Sequence, residues 1–239
     1  MTSRVAEEYP EHPEYSQYLE PGHYLDSDDA AVRAFARDAV GSASGQAQKA
    51  ARLFVAVRDG FWYDPFSVSN DPAGYRASAI VTGGPTWCVP KAVLLAAAAR
   101  AEGIPARLGF ADVRNHFQTP RLRERMKGAD LFVYHGYTDL HVDGRWVKAT
   151  PAFNTELCAR FGVEAIAFDG RADALLHQYT PDGGTYMEYV RDRGVFTDLP
   201  LQEILDAFTE VYGAGMFHET AGNGKGPYTD EFTRPGSRA

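Results

Sequence analysis

The sequence predicts one α+β domain in which a buried helix packs on an antiparallel sheet, and three stretches carry that prediction. Ala92-Val93-Leu94-Leu95-Ala96-Ala97-Ala98-Ala99 is apolar on every helical face, so this helix is enclosed by protein rather than laid on a surface. Val142-Asp143-Gly144-Arg145 sets Asp-Gly between alternating runs, the signature of a hairpin with a two-residue type I′ turn. Two amphipathic helical runs precede the apolar helix.

Length and composition agree with that reading. A chain of 239 residues with 44% hydrophobic content can bury one substantial core. A net charge of -8 argues against duplex nucleic acid or an anionic membrane as partner, because both attract basic surfaces. The first ten residues lack an apolar signal core, and no run is long enough to span a bilayer, so a cytoplasmic location is expected. Cys88 and Cys158 are the only cysteines and form no CxxC pair; a structural disulfide is not expected.

Residues 1–25 are rich in Pro, Tyr, Glu and His without a period and read as an extended arm. Asp26-Ser27-Asp28-Asp29 offers capping oxygens ahead of Ala30 to Arg37, and Gln46 to Arg58 continues with Ala50, Leu53, Phe54 and Val57 at helical spacing. Phe61-Trp62-Tyr63-Asp64-Pro65 leaves the helix at its proline. Pro90 is tolerable only in a first helical turn, which starts the apolar helix near Thr86 to Trp87 with Thr86 as its expected cap. Gly103 and Pro105 stop it, with Arg100 in the last turn where the dipole favours a cation.

Ala106 to Phe110 follows as a short strand. Counting from the Asp143-Gly144 turn, His141 faces Trp146, Tyr137 faces Thr150 and His135 faces Ala152. Strict alternation puts His135, Tyr137, Asp139, Trp146, Lys148 and Thr150 on one face, and Tyr134, Leu140, Val142, Val147 and Ala149 on the core face. Val163 to Phe168 and Thr185 to Phe196 read as further strands, and Pro200 to Tyr212 as a helix with Asp198 near its cap. The domain therefore runs over 1–212, with the arm at 1–25, helices over 28–60, a core over 61–155 that carries the reactive residues, and C-terminal strands and helix over 156–212. Residues 213–239 are glycine-rich and polar and read as a flexible tail.

The chemistry centres on Cys88. In the first turn of a helix, unpaired N–H groups and the dipole lower a thiol's pKa, and a histidine in reach completes a nucleophile and base pair. His135 is that histidine: the two are expected to form a thiolate and imidazolium pair for attack on a carbonyl, with the histidine later protonating the leaving group, while backbone N–H groups at the helix start hold an oxyanion. A buried, inert thiol is the competing reading. His135 and His141 lie about 20 Å apart along a strand and cannot share a metal. No metal or cofactor is expected.

Thr86-Trp87-Cys88, then Arg100-Ala101-Glu102-Gly103-Ile104-Pro105-Ala106-Arg107, then His135-Gly136-Tyr137 and Asp143-Gly144-Arg145-Trp146-Val147 resembles the transglutaminase-like superfamily, whose core is papain-like. The resemblance extends over about residues 24–154 and implies Cys88 as nucleophile and His135 as base. It also implies a third member, an aspartate in the strand after the hairpin, and there this chain departs: Thr150 occupies its place. Thr150 lies diagonal to His135 and brings no charge, while Asn154 is the other candidate orienter, as a neutral amide can hold a histidine. Asp139 is about 13 Å along the strand and too far.

Trp87 is read as a wall of the acyl site and Tyr137 as a further substrate contact. Arg121 and Arg123 stand in a locally basic connection, residues 112–128, read either as a lid gripping a substrate carboxylate or as a solvated helix face. The implied activity is cysteine-dependent acyl transfer from a peptide or small-molecule amide or ester, with hydrolysis the default. An amide-forming acyltransferase and a binding module that has lost turnover are the alternatives. Oligomeric state is left open by the sequence.

Overall fold

The computed structural model describes residues 13–116, 118–177, 184, 186–217 and 232. The first twelve residues of the expected arm and most of the expected tail lie outside the described residues. Helix α1 (Pro13–Ser16) belongs to the arm, followed by α2 (Ala30–Val40), α3 (Gln46–Gly60), a 3-10 turn (Pro72–Tyr75), α4 (Ala77–Thr82) and α5 (Cys88–Ala101). Asp29 caps α2 by accepting the Ala31 N–H at 2.8 Å, and Val32, Ala36 and Val40 form its buried stripe. The described part of the arm is tied down: Asp198 accepts the N–H groups of His23, Tyr24 and Leu25, and Arg100 donates to the Glu20 carbonyl at 2.6 Å.

Helix α5 is buried from Cys88 to Arg100, as its apolar faces require. Its cap differs from expectation. Trp87 is the N-cap residue and supplies no side-chain bond, while Thr86 pairs with the chain leaving α3: its N–H donates to the Trp62 carbonyl at 2.8 Å and its carbonyl accepts from Asp64 at 2.7 Å. Lys91, the one charge within the apolar run, has 0% of its surface exposed. Its Nζ donates to the carbonyls of Arg58 and Phe61 at 2.8 Å and of Ala152 at 2.7 Å. It thereby stitches α5 to the end of α3 and to the segment after the hairpin.

Strands β1 (Ala106–Asn115), β2 (Leu131–Val142), β3 (Arg145–Ala149) and β4 (Met187–Phe196) form one antiparallel sheet in the order β3-β2-β1-β4. Asp143 and Gly144 have φ of 49° and 85°, the left-handed pair a type I′ turn demands, and His141 faces Trp146 as counted. Helix α6 (Pro120–Arg125) lies between β1 and β2, α7 (Thr155–Phe161) follows β3, and α8 (Leu201–Tyr212) follows β4.

Two expectations are corrected. Strand β3 ends at Ala149, so His135 has no partner at Ala152; the Thr150 N–H turns instead to the Ala174 carbonyl at 2.9 Å. Val163 to Phe168 is irregular rather than a strand. Its apolar residues pack onto α3, with Phe168 5.3 Å from the Phe54 ring and the Ile166 carbonyl held by Arg58 at 2.6 Å. Among the described residues, no helix is long and apolar enough to cross a membrane.

Candidate active site

Cys88 is the first residue of α5, where the helix leaves its leading N–H groups without side-chain caps. The sulfur faces the N–H groups of Gly136, Val89 and Cys88 itself, each of which favours a thiolate. Gly136 belongs to β2, so the residue beside His135 touches the nucleophile directly. That approach needs a residue without a side chain: a Cβ on Gly136 would lie 3.2 Å from Val89 Cα and 3.3 Å from the Phe110 ring. Two residues on, Thr138 donates to the Ala92 carbonyl at 2.9 Å and continues the seam between β2 and α5.

His135 lines the same cavity as Cys88, is 7% exposed, and leaves Nε2 buried without a hydrogen-bond partner. Tyr137, predicted to share the His135 face and to contact substrate, lies outside the cavity, with its ring packed over Gly109 and Lys148 Nζ 5.1 Å from its centroid. Alternation breaks on the N-terminal side of His135, at Tyr134, whose φ of 53° accompanies a register shift between Ala111 and Val113, and Phe132, Val133 and His135 all line the cavity; from His135 to Tyr137 the pairing is regular, opposite Ala111 and Gly109. A bulge of this kind re-aims the side chains beside it.

The bulge is held from β1 and β4. The buried Asp112 carboxylate accepts the Tyr134 N–H at 3.1 Å and is gripped by Arg193 Nε and Nη2, both at 2.8 Å. The Arg193 guanidinium also stacks 4.5 Å from the centroid of the Tyr134 ring. Asp112 is therefore a positioning residue for His135. Asp112→Ala should slow acylation of Cys88 about tenfold or more with KM within about twofold, whereas Asp112→Asn, which keeps an acceptor for Tyr134, should retain most of the rate. Steady-state kinetics of both variants, with thermal melts to show that they are folded, decide this.

Burial dominates the electrostatics. It pushes the Cys88 thiol up to about 11 against the three N–H groups and the charge of Lys91, and pulls His135 down to about 4. Burial thus favours a neutral thiol beside a neutral imidazole over the expected thiolate and imidazolium pair, because the cavity desolvates both. Lys91 is pulled down to about 7 by its own burial, although the three carbonyls it meets favour the ammonium.

The other predicted residues divide. Trp87 lines the cavity and packs 5.4 Å from the Phe208 ring of α8. Asn154 does not orient His135. Its Oδ1 accepts the Tyr63 N–H at 2.7 Å, and its Nδ2 donates to the carbonyls of Arg58 at 2.6 Å and Phe61 at 2.9 Å, which commits the amide to backbone. The Thr150 hydroxyl is buried outside hydrogen-bonding geometry, with the Tyr189 phenol its polar neighbour. Arg121 and Arg123 do not line the cavity; Leu122, between them, does.

The cavity has a volume of about 530 Å³, and Cys158 lines it together with Cys88. Both cysteines are free and buried. Lys91 and Asp112 are supporting residues that periodicity alone does not single out, and each carries a signal: a charge in the first turns of an otherwise apolar helix, and an acid between the apolar Ala111 and Val113 of a strand. Among the described residues, no group of three or more His, Cys, Asp or Glu could hold a metal ion.

Residues 33–151 match the family model described as the transglutaminase-like superfamily. A comparison with curated proteins finds no match. Among solved structures, the chain is similar to a crystal structure from Cytophaga hutchinsonii provisionally described as a cysteine protease. The TM-score is 0.45 and the identity 18%, over 78% of this chain and 48% of that one. This chain thus spans about half the length of that protein.

Proposed function

Because residues 33–151 belong to the transglutaminase-like superfamily, we propose that the chain is a cysteine acyl-transfer enzyme that cleaves an amide or ester through a thioester on Cys88, with water as the default acceptor. The observation that carries this is the convergence of Cys88 and His135 on one cavity, with the Gly136 N–H on the sulfur. His135, neutral at rest, takes the thiol proton as sulfur bonds to the acyl carbon. The carbonyl oxygen gathers negative charge beside the N–H groups at the start of α5. The tetrahedral intermediate expels the amine or alcohol, which leaves with the proton from His135. Water then gives a proton to His135 as its oxygen bonds to the acyl carbon, and the sulfur departs and recovers that proton.

A thiol tolerates the uncharged Thr150 in the place of a carboxylate better than a hydroxyl nucleophile would, being intrinsically more acidic. That same missing charge is what favours a binding module without turnover. The pH profile separates the two. With a neutral base titrating near 4, acylation by p-nitrophenyl butyrate should rise through about pH 4 and stay flat to about pH 9. Stopped-flow release of p-nitrophenolate should show a burst equal to the protein concentration. A profile that rises only with thiolate formation toward about 11, with no burst, would mean that His135 does not act on Cys88.

A further inference from the structure

We infer, on the reading of Cys88 as nucleophile, that the acyl group it accepts is an uncharged, apolar chain or ring seated in the 530 Å³ cavity. The described residues that line this cavity include no Asp, Glu, Lys or Arg. Its walls include Leu122 of α6, Met126 at the end of that helix, Phe132 of β2, Leu157 of α7, Phe208 of α8 and Met216 of the turn after it, with Asn115, Gln118 and Thr119 as uncharged polar neighbours.

A carboxylate placed there would give up hydration and find no Lys or Arg among the described lining residues. The arginines nearest in sequence, Arg121 and Arg123, turn away from it, and Arg125 donates to the carbonyls of Met216 at 3.1 Å and Phe217 at 3.3 Å. The buried side-chain oxygen of Gln118, which has no hydrogen-bond partner, is a neutral acceptor facing the same space and would repel an anion further. An apolar chain meets none of these costs. Each methylene it buries is worth about fourfold in affinity, and the volume is that of a site enclosing a small organic molecule.

The reaction used to test this is acylation by an activated ester: the Cys88 thiol proton passes to His135, the sulfur bonds to the acyl carbon, and p-nitrophenolate leaves. Three probes are compared, p-nitrophenyl butyrate, p-nitrophenyl octanoate and the mono-p-nitrophenyl ester of octanedioic acid. Octanoate should exceed butyrate in kcat/KM by tenfold or more, and the ω-carboxylate ester should fall tenfold or more below octanoate. Gln118→Arg, a partly exposed wall position, should narrow the gap between octanoate and its ω-carboxylate analogue. Equal rates for all three esters with acyl mass on Cys88 would overturn the apolar assignment and leave the nucleophile in place. No acyl mass on Cys88 with any ester would overturn the nucleophile itself, and the inference with it.

Discussion

Replacing His135 by glutamine is expected to slow acylation of Cys88 by an activated ester by about 10²–10⁴-fold at pH 7, the range in which a positioned general base contributes. The effect should be near the upper end because the thiol it serves is held up at about 11, leaving very little thiolate at neutral pH to react unaided. Stability should move the other way in acid. The folded-state pKa of His135 is depressed from 6.5 to about 4, so between those values the unfolded chain binds the proton that the folded chain refuses. Stability is then complete above about pH 6.5 and is lost as pH falls toward 4, by roughly 3 kcal/mol from this residue. His135→Gln removes that loss. Chemical denaturation at pH 7 and pH 4.5 should show a smaller difference in the variant than in the parent, beside its deficit in acylation.

Lys91→Met is expected to cost roughly 2–4 kcal/mol, or on the order of 10 °C in Tm. The substitution keeps the volume of the stem but deletes the three bonds from Nζ to the carbonyls of Arg58, Phe61 and Ala152. Two of those carbonyls keep the Asn154 amide as donor. The Ala152 carbonyl loses the bond that Lys91 gave it, and removal of a buried amine offsets part of the penalty. The loss should therefore be smaller than for a buried charge left wholly unpaired. Differential scanning calorimetry measures it, and Asn154→Ala combined with Lys91→Met should be worse than the sum of the two, since each amide or amine covers for the other.

Much of the fold could be read from the chain because its signals are local. Pro90 allows only a first helical turn, and Asp143-Gly144 can take the two left-handed conformations that join β2 to β3. The features that aim the site are not local. Tyr134 adopts φ 53° because Asp112 and Arg193, 81 residues apart, meet beside it, and nothing in Tyr134-His135-Gly136 announces a bulge. Alternation holds from His135 to Tyr137 and fails at Tyr134, so the face that Tyr134 was expected to share with Leu140 and Val142 is not continuous through it.

Asn154 was misread for a related reason. The path of the chain after Pro151 delivers its amide to the end of α3, and no spacing rule specifies that. The charge state of Cys88 and His135 depends on how completely the cavity excludes water, which is a property of the packed core rather than of any motif. Arg121 and Arg123 were attractive by composition alone; the helix that carries them turns Leu122 inward.

The central claim is that the Cys88 sulfur becomes covalently acylated and is then released. Intact-mass spectrometry of the full chain, quenched within seconds of mixing with p-nitrophenyl octanoate and followed by peptide mapping, tests it most directly. A single acyl mass on Cys88 that decays as octanoate accumulates, and that is missing in Cys88→Ala, is the predicted result. A protein that stays unmodified, or one acylated on Cys158 as readily as on Cys88, would contradict it.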